Sequence, residues 1–297
     1  MESLKRIITR PDFDGVVCAV LLKVAIGKHL TVLWAQPNDI QNGLIEVGPE
    51  DIIANLPIHG PCAMWFDHHV SNEAKAPFEG LFRVAPSAAG LIYEYYQEEI
   101  GPRFQKLVEQ TDKIDDARLS LDEILHPEKY PYVLLSMTIS AEHSSDLVYC
   151  DNMVELLMSC DMDAVMADPQ VEKRCDRVTV ENKIYEELLK QHTRTQGVVT
   201  ITDFRGQNPA PNGNRFLVYS LFPETVVNMK IYNEKSKIVL KLGHSILNRN
   251  CNVNVGKLLS QYGGGGHKGA GACRLETDGA EHHIKKILNI LVANKSL

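Results

Sequence analysis

KRIITRPDFDGVVCAVLLKVAIG, residues 5–27, reads as a strand, a turn and a helix in direct succession. KRIITR (5–10) has the β-branched centre of a short strand, and DGVVCAVLLKVAIG (14–27) is an apolar stretch that predicts a helix opening at Asp14. The turn between them carries two carboxylates, Asp12 and Asp14, just before Gly15. One acidic residue there is what a helix N-terminus favours in any case. Two, at the end of a strand, invite a cation.

Outward from this unit the pattern repeats. LTVLWAQ (30–36), DIIANL (51–56) and CAMWFD (62–67) read as further strands. SAAGLIYEYYQEEI (87–100) has helical spacing, with Ser87 placed to cap it. Strands alternating with helices predict an α/β fold, a parallel sheet with helices on its faces. In such sheets the chemistry sits beyond the carboxyl ends of the strands. Asp12 and Asp14 follow the first strand and Asp67 ends the fourth, so both clusters are expected on one rim.

Residues 101–160 read as mainly helical, and 168–194 as one long helix stopped at Gly197. Strands then take over: GVVTITDF (197–204), RFLVYSLF (215–222), VVNMKIYN (226–233) and SKIVLKLG (236–243), with NEKS (233–236) as a hairpin turn. A helix (253–262), a glycine run, a strand and a final helix (279–293) follow. The chain is thus expected to form two domains, 1–194 with a parallel sheet and 195–297 as a smaller α/β domain with a mixed sheet, joined by the long helix.

Composition narrows the function. The chain has 297 residues, 44% hydrophobic and 23% charged, an ordinary globular balance. No apolar run approaches a membrane span, and MESLKRIITR lacks the apolar core of a signal peptide. None of the seven cysteines (18, 62, 150, 160, 175, 251 and 273) forms a CxxC pair, so free thiols in a reducing cytoplasm are expected. The formal net charge of -7 disfavours a protein that holds long nucleic acid by its whole surface. An anionic substrate is then short, and met by local positive groups or a metal.

Three more segments carry chemistry. FDHH (66–69) closes an apolar strand with a carboxylate and two imidazoles, donors suited to Mn²⁺ or Mg²⁺. TDKIDDA (111–117) reads alone as a capped turn, or as the source of a later carboxylate for the same cation. GGGGHKGAG (263–271) strips side chains so that backbone N–H groups can approach an anion, with His267 and Lys268 adding donors. It lacks the GK[ST] ending of a P-loop.

Taken together, Asp12-x-Asp14-Gly15, Asp67-His68-His69 and GGGGHKGAG resemble the DHH phosphoesterases with their associated C-terminal domain, over nearly the whole chain. That family includes single-strand exonucleases, enzymes acting on very short RNA or on adenosine 3′,5′-bisphosphate, and exopolyphosphatase-related proteins. The resemblance implies a two-manganese site. Asp12, Asp14 and His68 match metal ligands, with Asp112 as the later aspartate and Asp115 as its alternative. Asp67 and His69 fall in the catalytic motif, with His69 near the scissile phosphate. Gly264, Gly265, Gly266, His267 and Lys268, with Ser245 and Arg249 in HSILNR (244–249), are expected to hold substrate.

Two positions depart from the pattern. Upstream of the first aspartate pair, where a histidine or aspartate is usual, stand Ile8 and Arg10. Where a bridging aspartate should end the strand before DHH, stands Asn55. Counting ligands predicts one firmly held ion, Mn²⁺ before Mg²⁺, and a second weak or absent, with Arg10 opposing a cation or holding a phosphate and counted with His69 and Asp67 as catalytic, stabilising charge on the phosphoryl oxygens. The expected function is metal-dependent hydrolysis of a short oligonucleotide, nucleoside bisphosphate or polyphosphate in a cleft between the domains. The alternative is a protein that binds a nucleotide or polyphosphate without cleaving it. Expected partners are the substrate and a second copy of the chain, with no membrane.

Overall fold

In the computed structural model, which describes residues 4–69, 72, 77–141 and 143–296, the chain divides into two compact units. The first comprises residues 1–118 and 128–176, the second 119–127 and 177–297.

The first unit is built on five parallel strands: β1 (Arg6–Thr9), β2 (Thr31–Trp34), β3 (Asp51–Ala54), β4 (Met64–Asp67) and β5 (Gly80–Phe82). Their order is β2-β1-β3-β4-β5. Side chains alternate between faces along each strand. Ile8, Ile53 and Trp65 enter one core with Ile40 and Leu56, where Trp65 stacks on Phe82 at 4.7 Å between centroids. Ile7, Ile52 and Phe66, fully buried, point to the other face, against the helices Phe13–Ala25 and Ala88–Tyr95. Burial on both faces explains why these strands read as continuous apolar runs. β5, only three residues long, gave no such run.

The first helix starts at Phe13, one residue before the expected opening, because Asp12 is the cap: its carboxylate accepts from the Gly15 N–H at 2.9 Å. Ser87 caps Ala88–Tyr95 as expected, and the segment breaks at Tyr96 before a further turn, Gln97–Ile100.

The second unit holds a mixed six-stranded sheet: β6 (Thr193–Gln196), β7 (Val199–Asp203), β8 (Val227–Glu234), β9 (Lys237–His244), β10 (Gly265–Gly266) and β11 (Ala270–Glu276), ordered β10-β11-β9-β8-β7-β6. Only β7 and β8 are parallel. One face packs Ile201, Met229, Leu240 and Leu242 with Leu258, Leu259, Ile287 and Leu291 of the helices Val255–Ser260 and Ala280–Ala293.

Two expectations are corrected here. RFLVYSLF is a helix, Leu217–Leu221, and not a strand. A short apolar run does not reveal its period, and the Asn214 side chain accepts the Phe216 N–H to start the turn. Gly197 does not stop a helix. The long helix runs Pro169–His192, and Gly197, with φ of 58°, makes the turn between β6 and β7.

Candidate metal and phosphate site

The parallel register brings the ends of β1, β3 and β4 to one rim of the first unit. There the two aspartates of the first turn are treated differently. Asp14 is 2% exposed. Its carboxylate accepts the backbone N–H groups of Ala88 and Ala89, both at 2.9 Å. Burial and the charge of Asp12 push its pKa up to about 7, against the pull of those two N–H groups. Gly15 is required by close approach: a Cβ there would stand 1.9 Å from the Arg10 carbonyl oxygen.

His68 faces Asp14 across the rim. Its Nδ1 lies 3.0 Å from the Ala85 carbonyl oxygen, which accepts only, so that nitrogen carries the proton. Nε2 is then the bare lone pair. It is buried, makes no hydrogen bond, and sits 3.8 Å from Asp14 Oδ2 and 3.4 Å from Asp115 Oδ2. Asp14, His68 and Asp115 place ligand atoms within 4.8 Å of one another. A buried imidazole nitrogen with no partner, between two carboxylates, fits a divalent cation. The donor set is two hard oxygens and one imidazole, ligands that divalent metal ions accept. Fixing the far ring nitrogen to a carbonyl is how metal-binding histidines are oriented.

Asp112, the first choice for the later aspartate, is not among the three whose ligand atoms lie within 4.8 Å of one another. It accepts from Ser87 Oγ at 2.5 Å and lies against Gly90, and burial raises its carboxyl. Asp115, three residues on along the helix Gln105–Asp115, is the carboxylate that reaches His68. Residues three apart project on neighbouring but distinct lines of a helix, and spacing alone could not separate the two.

Asp67 is fully buried and surrounded by donors. Oδ1 takes the His68 N–H at 2.9 Å and His69 Nδ1 at 2.7 Å, and Oδ2 takes Asn72 Nδ2 at 2.7 Å. Burial alone would lower the His69 pKa, but the hydrogen bond to Asp67 and the charges of Asp67, Asp115 and Asp14 outweigh it and raise it. Asp67 therefore holds His69 in place and favours its protonated form. Asp67, His68 and His69 also lie within ligand distance of one another, but Asp67 Oδ1 and His69 Nδ1 are already bonded to each other at 2.7 Å.

Asn55 follows β3, 2% exposed, with φ of 55°. Its Nδ2 donates to Asp12 Oδ1 at 3.0 Å, and Arg10 Nε lies 3.1 Å from Asp12 Oδ2. Sequence reasoning missed the Ala85 carbonyl, the Ala88 and Ala89 amides and Asn72. The first three are backbone groups without a residue signature; only the Ser87 cap hinted at the helix start that presents the amides.

In the second unit, the glycine run is an ordered hairpin and not a free loop. Gly265 and Gly266 pair with Ala272 and Gly271, and the Val255 and Gly256 N–H groups donate to the Lys268 and His267 carbonyls. A Cβ on Gly264 would lie 2.3 Å from the Ala272 carbonyl oxygen, so this glycine serves close packing. His267, Lys268 and Arg249 are exposed. The His244 N–H bonds the Gly269 carbonyl, bringing HSILNR beside the hairpin. Ser245 is 2% exposed and accepts the Asn248 N–H, so its hydroxyl shapes that turn.

No protein-family model and no curated protein matches the chain. Solved structures do. A pGpG-specific phosphodiesterase, PggH from Vibrio cholerae, superposes with a TM-score of 0.80 at 27% identity, covering 98% of this chain and 99% of its own. An exopolyphosphatase-related protein from Bacteroides fragilis matches with a TM-score of 0.56 at 11% identity, over 96% of this chain and 92% of its own. RecJ from Thermus thermophilus, in complex with Mn²⁺, matches with a TM-score of 0.59 at 14% identity, over 98% of this chain and 53% of its own. Among the described residues no helix is long and apolar enough to cross a membrane. With its parallel-sheet unit, its mixed-sheet unit and the DHH triplet at the end of β4, the chain carries the fold of the DHH-family phosphoesterases.

Proposed function

We propose that this phosphoesterase hydrolyses a short linear oligonucleotide, a dinucleotide of the pGpG class, using one divalent cation, Mn²⁺ first, held by Asp14, His68 and Asp115. The observation that carries this reading is the bare, buried Nε2 of His68 facing two carboxylates. Likeness to PggH over the whole chain supports the substrate class, and the net charge of -7 argues against long strands.

Asp14, His68 and Asp115 would hold the cation, which would supply Lewis-acid neutralisation of phosphoryl charge and a lowered pKa for water. The protein's own groups do the rest. Water oxygen bonds to phosphorus as the P–O ester bond breaks; of the water's two protons one stays on the new P–OH and the other is released, balanced by the proton that the leaving oxygen takes up to become a hydroxyl. His69, held by Asp67 through Nδ1 in surroundings that raise its pKa, would offer Nε2–H in its protonated form to a phosphoryl oxygen as negative charge gathers there. Asp67 is a positioning residue: it accepts from the backbone, from His69 and from Asn72. In the second unit, exposed His267, Lys268 and Arg249 are assigned to phosphate binding, on a frame set by Gly264, Gly265, Gly266 and Ser245.

The test is turnover with Mn²⁺ on pGpG, other dinucleotides, longer oligonucleotides, adenosine 3′,5′-bisphosphate and polyphosphate, beside a His68→Ala variant. Preference for dinucleotides, lost in the variant with the fold intact, is expected. Binding of these compounds without hydrolysis of any would instead establish the non-cleaving alternative.

A further inference from the structure

Asp12 and Asp14 flank Phe13 on one turn, yet their surroundings are opposite. Asp14 faces His68 and Asp115. Asp12 is engaged by the chain itself: Oδ1 accepts the Gly15 N–H at 2.9 Å and Asn55 Nδ2 at 3.0 Å, and Oδ2 forms an ion pair with Arg10 Nε at 3.1 Å. Because a carboxylate only accepts, the amide of Asn55 must present its nitrogen. An aspartate at 55 would set a second anionic oxygen in that place and demand a cation. Asn55 presents Nδ2 to Asp12 instead, its neutral Oδ1 buried without a hydrogen bond, and Arg10 supplies the charge. Arg10 and Asp12 are together neutral, so this corner has no net charge to attract a dication.

Arg10 is also available to a ligand. Its side chain is 39% exposed, and it meets Asp12 through Nε at 3.1 Å. The two terminal nitrogens make no hydrogen bond with any described residue. A guanidinium held by Nε with its outer fork open fits two oxygens of one phosphate.

We propose that this corner binds a substrate phosphate through Arg10 and holds no second metal ion. Arg10 is a substrate-binding residue, and Asp12 and Asn55 position it. The inference rests on the reading of Asp14, His68 and Asp115 as a one-ion site.

Two measurements test it. Mn²⁺ per chain is counted by equilibrium dialysis and elemental analysis, and inorganic phosphate binding to the Mn²⁺-saturated protein is measured by calorimetry. Wild type should hold one Mn²⁺. Arg10→Ala should keep that ion and bind phosphate about tenfold to a hundredfold more weakly, the scale of a lost charged hydrogen bond. Arg10→Lys, which keeps the charge and loses the fork, should fall between and serves if the alanine variant does not fold. Asn55→Asp combined with Arg10→His restores ligands and should gain a second Mn²⁺. Two ions in wild type, or unaltered phosphate affinity in both Arg10 variants, would overturn the proposal. A folded double variant that still holds one ion would count against the role given to Asn55. No ion in wild type would overturn the metal reading beneath it instead.

Discussion

Gly15→Ala is the most informative single perturbation of the first turn. The added Cβ would stand 1.9 Å from the Arg10 carbonyl oxygen and 2.9 Å from Thr9 Oγ1. It falls short of ordinary contact with that oxygen by about 1.5 Å, the kind of overpacking that forces backbone shifts. The carbonyl cannot simply rotate away, because the Asp12 N–H donates to it at 2.9 Å. The turn must therefore move, and Asp12 and Asp14 move with it. Overpacking of this kind costs about 1–3 kcal/mol of stability. A displacement near 1 Å at the metal-facing carboxylate should lower kcat/KM about a hundredfold. Gly90→Ala is the control: its Cβ would meet Asp112 Oδ1 at 2.7 Å, the end of a side chain that can swing aside. Urea melts, Mn²⁺ calorimetry and turnover on a dinucleotide read the outcome. If Gly15→Ala unfolds at the wild-type urea midpoint and binds Mn²⁺ with wild-type affinity, the account of a tightly built turn is wrong.

Asp115→Asn should weaken Mn²⁺ binding by at least about tenfold in calorimetry, whereas Asp112→Asn should change it less; the reverse order would return the ligand role to Asp112. His69→Gln should lower kcat by about 10²–10⁴-fold with Mn²⁺ content unaltered, and a wild-type kcat would remove His69 from the chemistry. Away from the site, burial raises the Asp146 carboxyl, but hydrogen bonds from Ser140, Arg174 and the His143 N–H outweigh it and pull the pKa from 3.8 down to about 2. Because the folded value is the lower one, its stabilisation of roughly 2 kcal/mol is present above about pH 4 and lost as pH falls toward 2. The stability gap between wild type and Asp146→Asn in urea should therefore shrink from pH 6 to pH 3, and a constant gap would contradict the assignment.

Much was legible without coordinates. Strand-turn-helix alternation announced the parallel sheet, because strands buried on both faces must be apolar throughout. The rim position of Asp12, Asp14 and DHH followed from that, since parallel strands end together. The sequence by itself determined the donor types available, the two-unit α/β architecture and the departures at Arg10 and Asn55. Tertiary structure decided what each donor does. Asp115 and not Asp112 faces His68, since that choice turns on where one helix meets the rim. The tautomer of His68 is set by a carbonyl at Ala85, and the Asp14 carboxylate is held by two backbone amides; neither partner has a side-chain signature. Periodicity and composition report which groups a chain owns, but partnership between groups distant in sequence exists only once the sheet has aligned them.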